Sequence, residues 1–374
     1  MNIYTSKPEL WSSELEAHND DGSITRGQVS LISDDISQVL DGRNIIFITY
    51  PAFMFREISE LILPHIHEGM YMGVIPGTGG AEYAFSGCIR SGAGLFGLQR
   101  VPSVARIIEY GRSVRTEGYR NMLELASIPH SESPKLADFI SELFGIPCGV
   151  LPNYLNVTLT PSNPILHTTR LRTLFHDYGE WKIYPENPLF YGDWSNESSE
   201  LLFRCDDELQ KICSLLYGLD MSGVKSLKIH YESSTPEQLT RKIRSIKSLN
   251  KLRSPMKEHA GGWIPDFSSR YFTADFPFGL AIIEDIADLL NFRAQNITET
   301  MKWYRDITGD TSRFSLSDYN IKNMQDFYNI YQQKGLDKMK KATIIDTTRH
   351  DTTRHDTTPI LVLESRLSLQ GEAA

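Results

Sequence analysis

At 374 residues the chain is long enough for two domains with separate cores. Hydrophobic residues make up 40% and charged residues 23%, the balance of an ordinary globular protein. A formal net charge of −9 excludes a nucleic-acid partner held by phosphate contacts, which needs a basic face.

No apolar run reaches the roughly 18–20 residues of a membrane span. Met1–Lys7 does not read as a signal peptide, so a cytoplasmic protein is expected. Cys88, Cys148, Cys205 and Cys213 form no C-x-x-C pair and read as reduced thiols. His65 and His67 read as surface residues at a helix end, and no metal site is expected.

In chain order, Asn2-Ile3-Tyr4 reads as a short strand, followed by a turn through Ser6 and Lys7. Residues 28–32 are a second strand candidate. Ile45–Thr49 is a continuous apolar, β-branched run, the pattern of a strand buried in a parallel sheet. Pro51 closes it, and Phe53, Ile58, Leu61 and Ile62 recur at helical spacing. Met72–Pro76 is the next strand and runs into Gly77-Thr78-Gly79-Gly80. Strand–helix–strand repetition of this kind predicts an α/β, doubly wound, Rossmann-like domain over residues 1–150.

The first strand of such a fold, its G-x-G-x-x-G turn and its first helix would precede Met1, so the domain reads as N-terminally truncated. Gly77–Gly80 and Gly92-Ala93-Gly94 are local glycine clusters without the rest of the fingerprint.

From residue 151 to 333 the texture becomes mainly α-helical. Leu209, Ile212, Leu215 and Leu216 mark one apolar stripe, and Ile282, Ile283, Ile286, Leu289 and Leu290 another. Residues 235–247 read as a basic, solvated helix. Residues 334–374 carry the repeat Asp346-Thr347-Thr348-Arg349-His350, then Asp351–His355, and read as a low-complexity, disordered tail.

Three residues carry chemistry. His167 follows an Asn163-Pro164 turn; a histidine titrates near neutral pH and can give and take protons. Asp275 is its proposed partner, since a carboxylate on the other ring nitrogen fixes the tautomer. Arg270, five positions before Asp275, can grip a substrate carboxylate bidentately. A His–Asp pair with such an arginine suits a dehydrogenase of 2-oxo or amino acids.

The segments Asn163…His167 and Arg270…Asp275-Phe276-Pro277-Phe278-Gly279-Leu280 resemble the helical catalytic domain of the octopine/opine dehydrogenase family. Tyr50-Pro51-Ala52 resembles that family's turn near the nicotinamide, and Gln99–Arg106 its next strand and turn. The resemblance covers residues 2–333. It implies NAD(P)H-dependent reductive condensation of an amino acid with a 2-oxo acid. His167 and Asp275 would then form the proton-transfer dyad, with Arg270 at the substrate. Asn163 and Gln99 are further candidates for substrate binding, and Ser6, Lys7, Tyr50, Pro51 and Ala52 for cofactor binding.

An acidic residue ending the second strand would favour the free ribose of NAD. Here Thr5-Ser6-Lys7 stands in that place and suits a 2′-phosphate, so NADP is expected over NAD. Small-molecule partners are expected, with no nucleic acid and no membrane, in a monomer or homodimer. Two other readings stay open at this point: a related dehydrogenase of small hydroxy acids, and a binding module that has lost catalysis with its phosphate loop.

Overall fold

In the computed structural model the described residues are 1–179, 181–332 and 360–363. They form two compact units, one of Met1–Val157 with the chain from Asn329 on, the other of Thr158–Tyr328.

The first unit is α/β. Its strands are β1 (Asn2–Tyr4), β2 (Glu14–His18), β3 (Ile24–Gln28), β4 (Leu31–Ser33), β5 (Ile45–Ile48), β6 (Tyr71–Val74), β7 (Gly94–Leu98), β8 (Ser103–Glu109), β9 (Ser113–Tyr119), β10 (Leu123–Ile128) and β11 (Cys148–Val150). The helices are α1 (Ile36–Leu40), α2 (Phe55–Ile62), α3 (Ala81–Ala84), α4 (Ser86–Arg90) and α5 (Ser133–Phe144), with α6 (Leu155–Thr158) at the boundary. The run expected as one strand over 28–32 is split: Val29 and Ser30 turn the chain from β3 into β4. Likewise Phe55, not Phe53, faces inward from α2, because a 3-10 turn at Ala52–Met54 shifts the helical register.

The main sheet has the order β11-β10-β7-β6-β5-β14-β1-β4, where β14 is Ile360–Leu363. Strands β4 through β7 of that order run parallel, and β10 is antiparallel to β7. The central position expected to be vacant is therefore filled. Val362 pairs with Ile3 on one side and Phe47 on the other. Four consecutive apolar residues suit a strand hydrogen-bonded on both edges. This corrects the reading of that part of the tail as unstructured; the Asp-Thr-Thr-Arg-His repeat lies outside the described residues.

Under the sheet, Phe47, Phe96, Leu125, Leu136 and Ile140 form a core in which α5 covers β5, β7 and β10. A second sheet, β3-β2-β9-β8, stands beside it. Gly92, Gly94 and Gly97 have the G-x-G-x-x-G spacing, but they enter and occupy a strand. Their small size serves packing: a Cβ on Gly97 would lie 2.5 Å from the Tyr154 hydroxyl and 3.0 Å from the Gly77 Cα.

The second unit is mainly helical: α7 (Asn163–Leu174), α8 (Asn196–Leu215), α9 (Leu227–His230), α10 (Pro236–Arg244), α11 (Arg270–Thr273), α12 (Ala281–Leu289), α13 (Gln295–Thr308) and α14 (Met324–Tyr331), the last ending in the first unit. It also holds an antiparallel pair the sequence did not announce, β12 (Met256–His259) with β13 (Gly262–Pro265). No helix among the described residues is long and apolar enough to cross a membrane.

Candidate active site

Helix α7 starts with Pro164 in its first turn, where a missing N–H costs nothing. From Ile165 to Leu171 every side chain is buried. Its threonines tolerate this because Thr168, Thr169 and Thr173 donate their hydroxyls back to carbonyls one turn earlier. His167 lies one turn in, 8% exposed.

The second segment approaches α7 through a glycine. A Cβ on Gly279 would sit 3.0 Å from Pro164 Cβ and Cγ, tighter than ordinary packing allows. The Pro-Phe-Gly run is wound as a π-helical turn, Phe276–Leu280, with the Leu280 N–H donating to the Asp275 carbonyl at 2.8 Å. The Asn-Pro and Pro-Phe-Gly signatures thus meet at Pro164 and Gly279. This contact sets His167, one turn beyond Pro164, against Asp275, one turn before Gly279.

The result is a hydrogen bond of 2.8 Å between His167 Nδ1 and Asp275 Oδ2, across 108 residues of sequence. The two side chains are 11% and 17% exposed, so the pair is largely shielded from water. An ionised carboxylate only accepts, which assigns the proton to Nδ1 and leaves Nε2 as an acceptor. Tyr191 Oη lies 2.8 Å from Nε2 and donates to it. Tyr271 packs on the imidazole at 4.5 Å between centroids, and Phe190 meets it edge-on at 5.6 Å.

Arg170, one turn after His167 on the same helix, holds the segment that carries Tyr191. Its Nε donates to the Phe190 carbonyl at 3.0 Å and its Nη2 to the Asp193 carbonyl at 2.9 Å, while the guanidinium lies over Trp194. Burial lowers Arg170 to about 10, so it keeps its charge at neutral pH. Trp194 is fully buried, donates to Ser199 Oγ and stacks on Tyr191, which makes it a wall behind the site.

The remaining expected residues are placed as follows. Arg270 is the exposed first residue of α11, and Asn163 is exposed at the start of α7. Gln99, in the first unit, is buried and donates to the Asn156 carbonyl at 3.4 Å. At the carboxyl end of β1 the Thr5 hydroxyl accepts the Lys7 N–H, shaping a turn with Ser6 exposed and Lys7 half-buried. At the carboxyl end of β5, Tyr50 is buried and Pro51 opens the turn Ala52–Met54. Tyr191 was not foreseen from the sequence; the aromatic pair Phe190-Tyr191 before a glycine was its only local sign. Among the described residues no three His, Cys, Asp or Glu side chains cluster as a metal site.

Those two turns fit a dinucleotide at its ends. Parallel sheets bind such ligands outside the carboxyl ends of their strands. The β1 turn offers the Ser6 hydroxyl and the Lys7 ammonium. The β5 turn offers a proline-fixed backbone. The glycine turn Gly77–Gly80 connects β6 to α3 with Gly80 at the helix N-cap, but Glu82 stands where the G-x-G-x-x-G fingerprint has its third glycine.

A Rossmann-like sheet in one unit and a shielded His–Asp dyad in a helical other define the two-domain, NAD(P)-dependent dehydrogenase class. Residues 150–308 match the family described as NAD/NADP octopine/nopaline dehydrogenase, alpha-helical domain. Tauropine dehydrogenase of Arabella iricolor is 25% identical over 338 residues, 83% of this chain and 84% of its own. Octopine dehydrogenase of Pecten maximus is 23% identical over 337 residues, 83% of each. The fold is that of octopine dehydrogenase solved with NADH and L-arginine, with a TM-score of 0.74 at 20% identity over 86% of this chain and 87% of that one. Yersinopine dehydrogenase with NADP+ bound gives 0.55 at 12% identity over 86% and 87%. The helical part of the chain thus matches the octopine/nopaline dehydrogenase family, and most of its length is similar to tauropine and octopine dehydrogenases.

Proposed function

We propose that the chain catalyses the NAD(P)H-dependent reductive condensation of an amino acid with a 2-oxo acid, giving a secondary amine dicarboxylate. The observation that carries the reading is the His167–Asp275 hydrogen bond, formed between the two segments that resemble the family's catalytic motifs. The tauropine, octopine and opine dehydrogenases among its relatives support the reaction class.

His167 is the proton donor and acceptor at the substrate oxygen and nitrogen. The amine adds to the keto carbon, and His167 moves the proton that lets water leave. Asp275 holds the imidazole with Nδ1 protonated and stabilises the cation formed when Nε2 also takes a proton. Arg270 grips the 2-oxo acid carboxylate, with Asn163 and Gln99 as further substrate ligands. Ser6 and Lys7 hold the adenosine ribose and its 2′-phosphate, and Tyr50, Pro51 and Ala52 the nicotinamide end. The bound reduced nicotinamide supplies the hydride. The Thr5-Ser6-Lys7 turn, neutral then basic, favours NADP over NAD. The protein acts as a monomer or homodimer in the cytoplasm, a reducing setting that its unpaired Cys88, Cys148, Cys205 and Cys213 support.

The test is titration of the chain with NADPH and NADH by calorimetry, then NADPH oxidation with pyruvate and a panel of amino acids. Oxidation that depends on the amine supports the reading. Oxidation by the 2-oxo acid alone replaces it with a hydroxy-acid dehydrogenase, and absence of cofactor binding removes it.

A further inference from the structure

Both ring nitrogens of His167 are engaged within its own unit. Nδ1 is held by Asp275, and Nε2, the nitrogen a substrate must reach, already accepts the hydroxyl of Tyr191 at 2.8 Å. Direct transfer between imidazole and substrate therefore requires Tyr191 to be pushed aside. Tyr191 is poorly placed to move. Its ring stacks on Trp194 with an interplanar angle of 11°, it is 6% exposed, and Arg170 fixes the carbonyls of residues 190 and 193 on either side of it. Tyr271, which is half-buried, lies against the same imidazole. Asp275, His167 and Tyr191 thus make one chain of hydrogen bonds, running from a shielded carboxylate to a phenol.

We infer that Tyr191 is the proton relay of this site, through whose hydroxyl His167 exchanges protons with the substrate and with water. The inference rests on the function proposed above. In the dehydration step the protonated imidazole gives its Nε2 proton to Tyr191 Oη as Tyr191 passes its own proton to the departing hydroxyl. The nitrogen lone pair of the adduct forms the C=N bond as the C–O bond breaks, water leaves, and His167 ends neutral. No charge rests on the tyrosine at any point. Burial, with the phenols of Tyr271 and Tyr231 and the Asp275 carboxylate nearby, raises Tyr191 far above the ordinary tyrosine range, so a free phenolate is disfavoured and the two transfers are concerted.

The variant Tyr191→Phe keeps the ring and its stacking and removes one oxygen. The relay predicts a fall in kcat of about a hundredfold, the scale of a general acid–base contribution, with KM for NADPH unchanged. It also predicts that the rate in H2O–D2O mixtures, which bends for two protons in flight in the wild type, becomes linear. A variant as fast as the wild type, or faster, would mean that Tyr191 merely occupies Nε2 and is displaced, and would overturn the relay. Imidazole 15N spectra of the protein, assigned with His167→Asn, give a reading that needs no turnover. The His167 Nε2 resonance should move toward that of a free acceptor in Tyr191→Phe, and exchange of the imidazole proton with water should slow. Unchanged resonance, or unchanged or faster exchange, rejects the relay. If the wild type shows no amine-dependent oxidation, the proposed reaction falls while these exchange rates still decide the relay.

Discussion

Asp275→Asn tests the dyad with the smallest change of shape. The amide keeps the volume and can still hydrogen-bond, but it removes the charge that faces His167 at 2.8 Å. At that separation the carboxylate–imidazolium attraction is about 6 kcal/mol at an effective dielectric of about 20. Part of it offsets the cost of holding two poorly hydrated charges, since both side chains are less than one-fifth exposed. The amide also presents an NH2 that competes to donate to the ring, which favours the wrong tautomer. Loss of roughly 3–5 kcal/mol from the transition state corresponds to a fall in kcat of about 10²- to 10⁴-fold. The assay is steady-state NADPH oxidation with saturating amine and 2-oxo acid, with the fold checked by circular dichroism. Cofactor affinity should hold, because Asp275 lies in the helical unit. Turnover at the wild-type level in a folded Asp275→Asn protein would refute the reasoning, and would reduce Asp275 to a residue at the start of the π-helical turn.

Further outcomes follow from the same geometry. His167→Ala should lower turnover by about a hundredfold or more in protein that still binds cofactor, measured with the same assay. Arg270→Ala should act chiefly on KM for the 2-oxo acid, raising it by about ten- to a hundredfold for the loss of a charge-assisted bond of roughly 1.5–3 kcal/mol, with a smaller change in kcat. Gly97→Ala places a methyl against the Tyr154 hydroxyl and should destabilise the first unit by about 1–3 kcal/mol, read from denaturant unfolding. Asp206 offers a pH test. It is fully buried, accepts the Leu227 N–H, and burial raises it to about 6. A carboxyl whose folded value exceeds its unfolded one binds its proton more tightly when folded. Stability is therefore lost as pH rises from about 4 to about 6 and stays lost above. Asp206→Asn should be more stable than wild type at pH 8, by at most about 3 kcal/mol, with the advantage vanishing below pH 4. An advantage that does not change with pH contradicts it.

The legible part of this chain was its local punctuation. Apolar β-branched runs marked β5 and β6, because a strand buried on both faces has no polar positions to hide it. Asn163-Pro164 and Pro277-Phe278-Gly279 were visible because a helix start and a close approach each demand particular residues. The contact of Pro164 with Gly279 explains why two such short signatures, far apart in sequence, can define one dyad. What escaped was set by contacts at a distance. Tyr191 reaches Nε2 because the buried Arg170 turns its donors onto the carbonyls of Phe190 and Asp193. No spacing rule links an arginine on one helix to the carbonyls of a later loop. Ile360–Leu363 escaped for a related reason: four apolar residues in a polar tail are uninformative until a sheet with an open pair of edges is known. Gly92, Gly94 and Gly97 show the opposite hazard, a fingerprint's spacing in which each glycine answers to packing inside and beside a strand. In each case the deciding fact is which group lies opposite, and a backbone carbonyl, a strand edge or a tyrosine ring opposite leaves no mark on the local sequence.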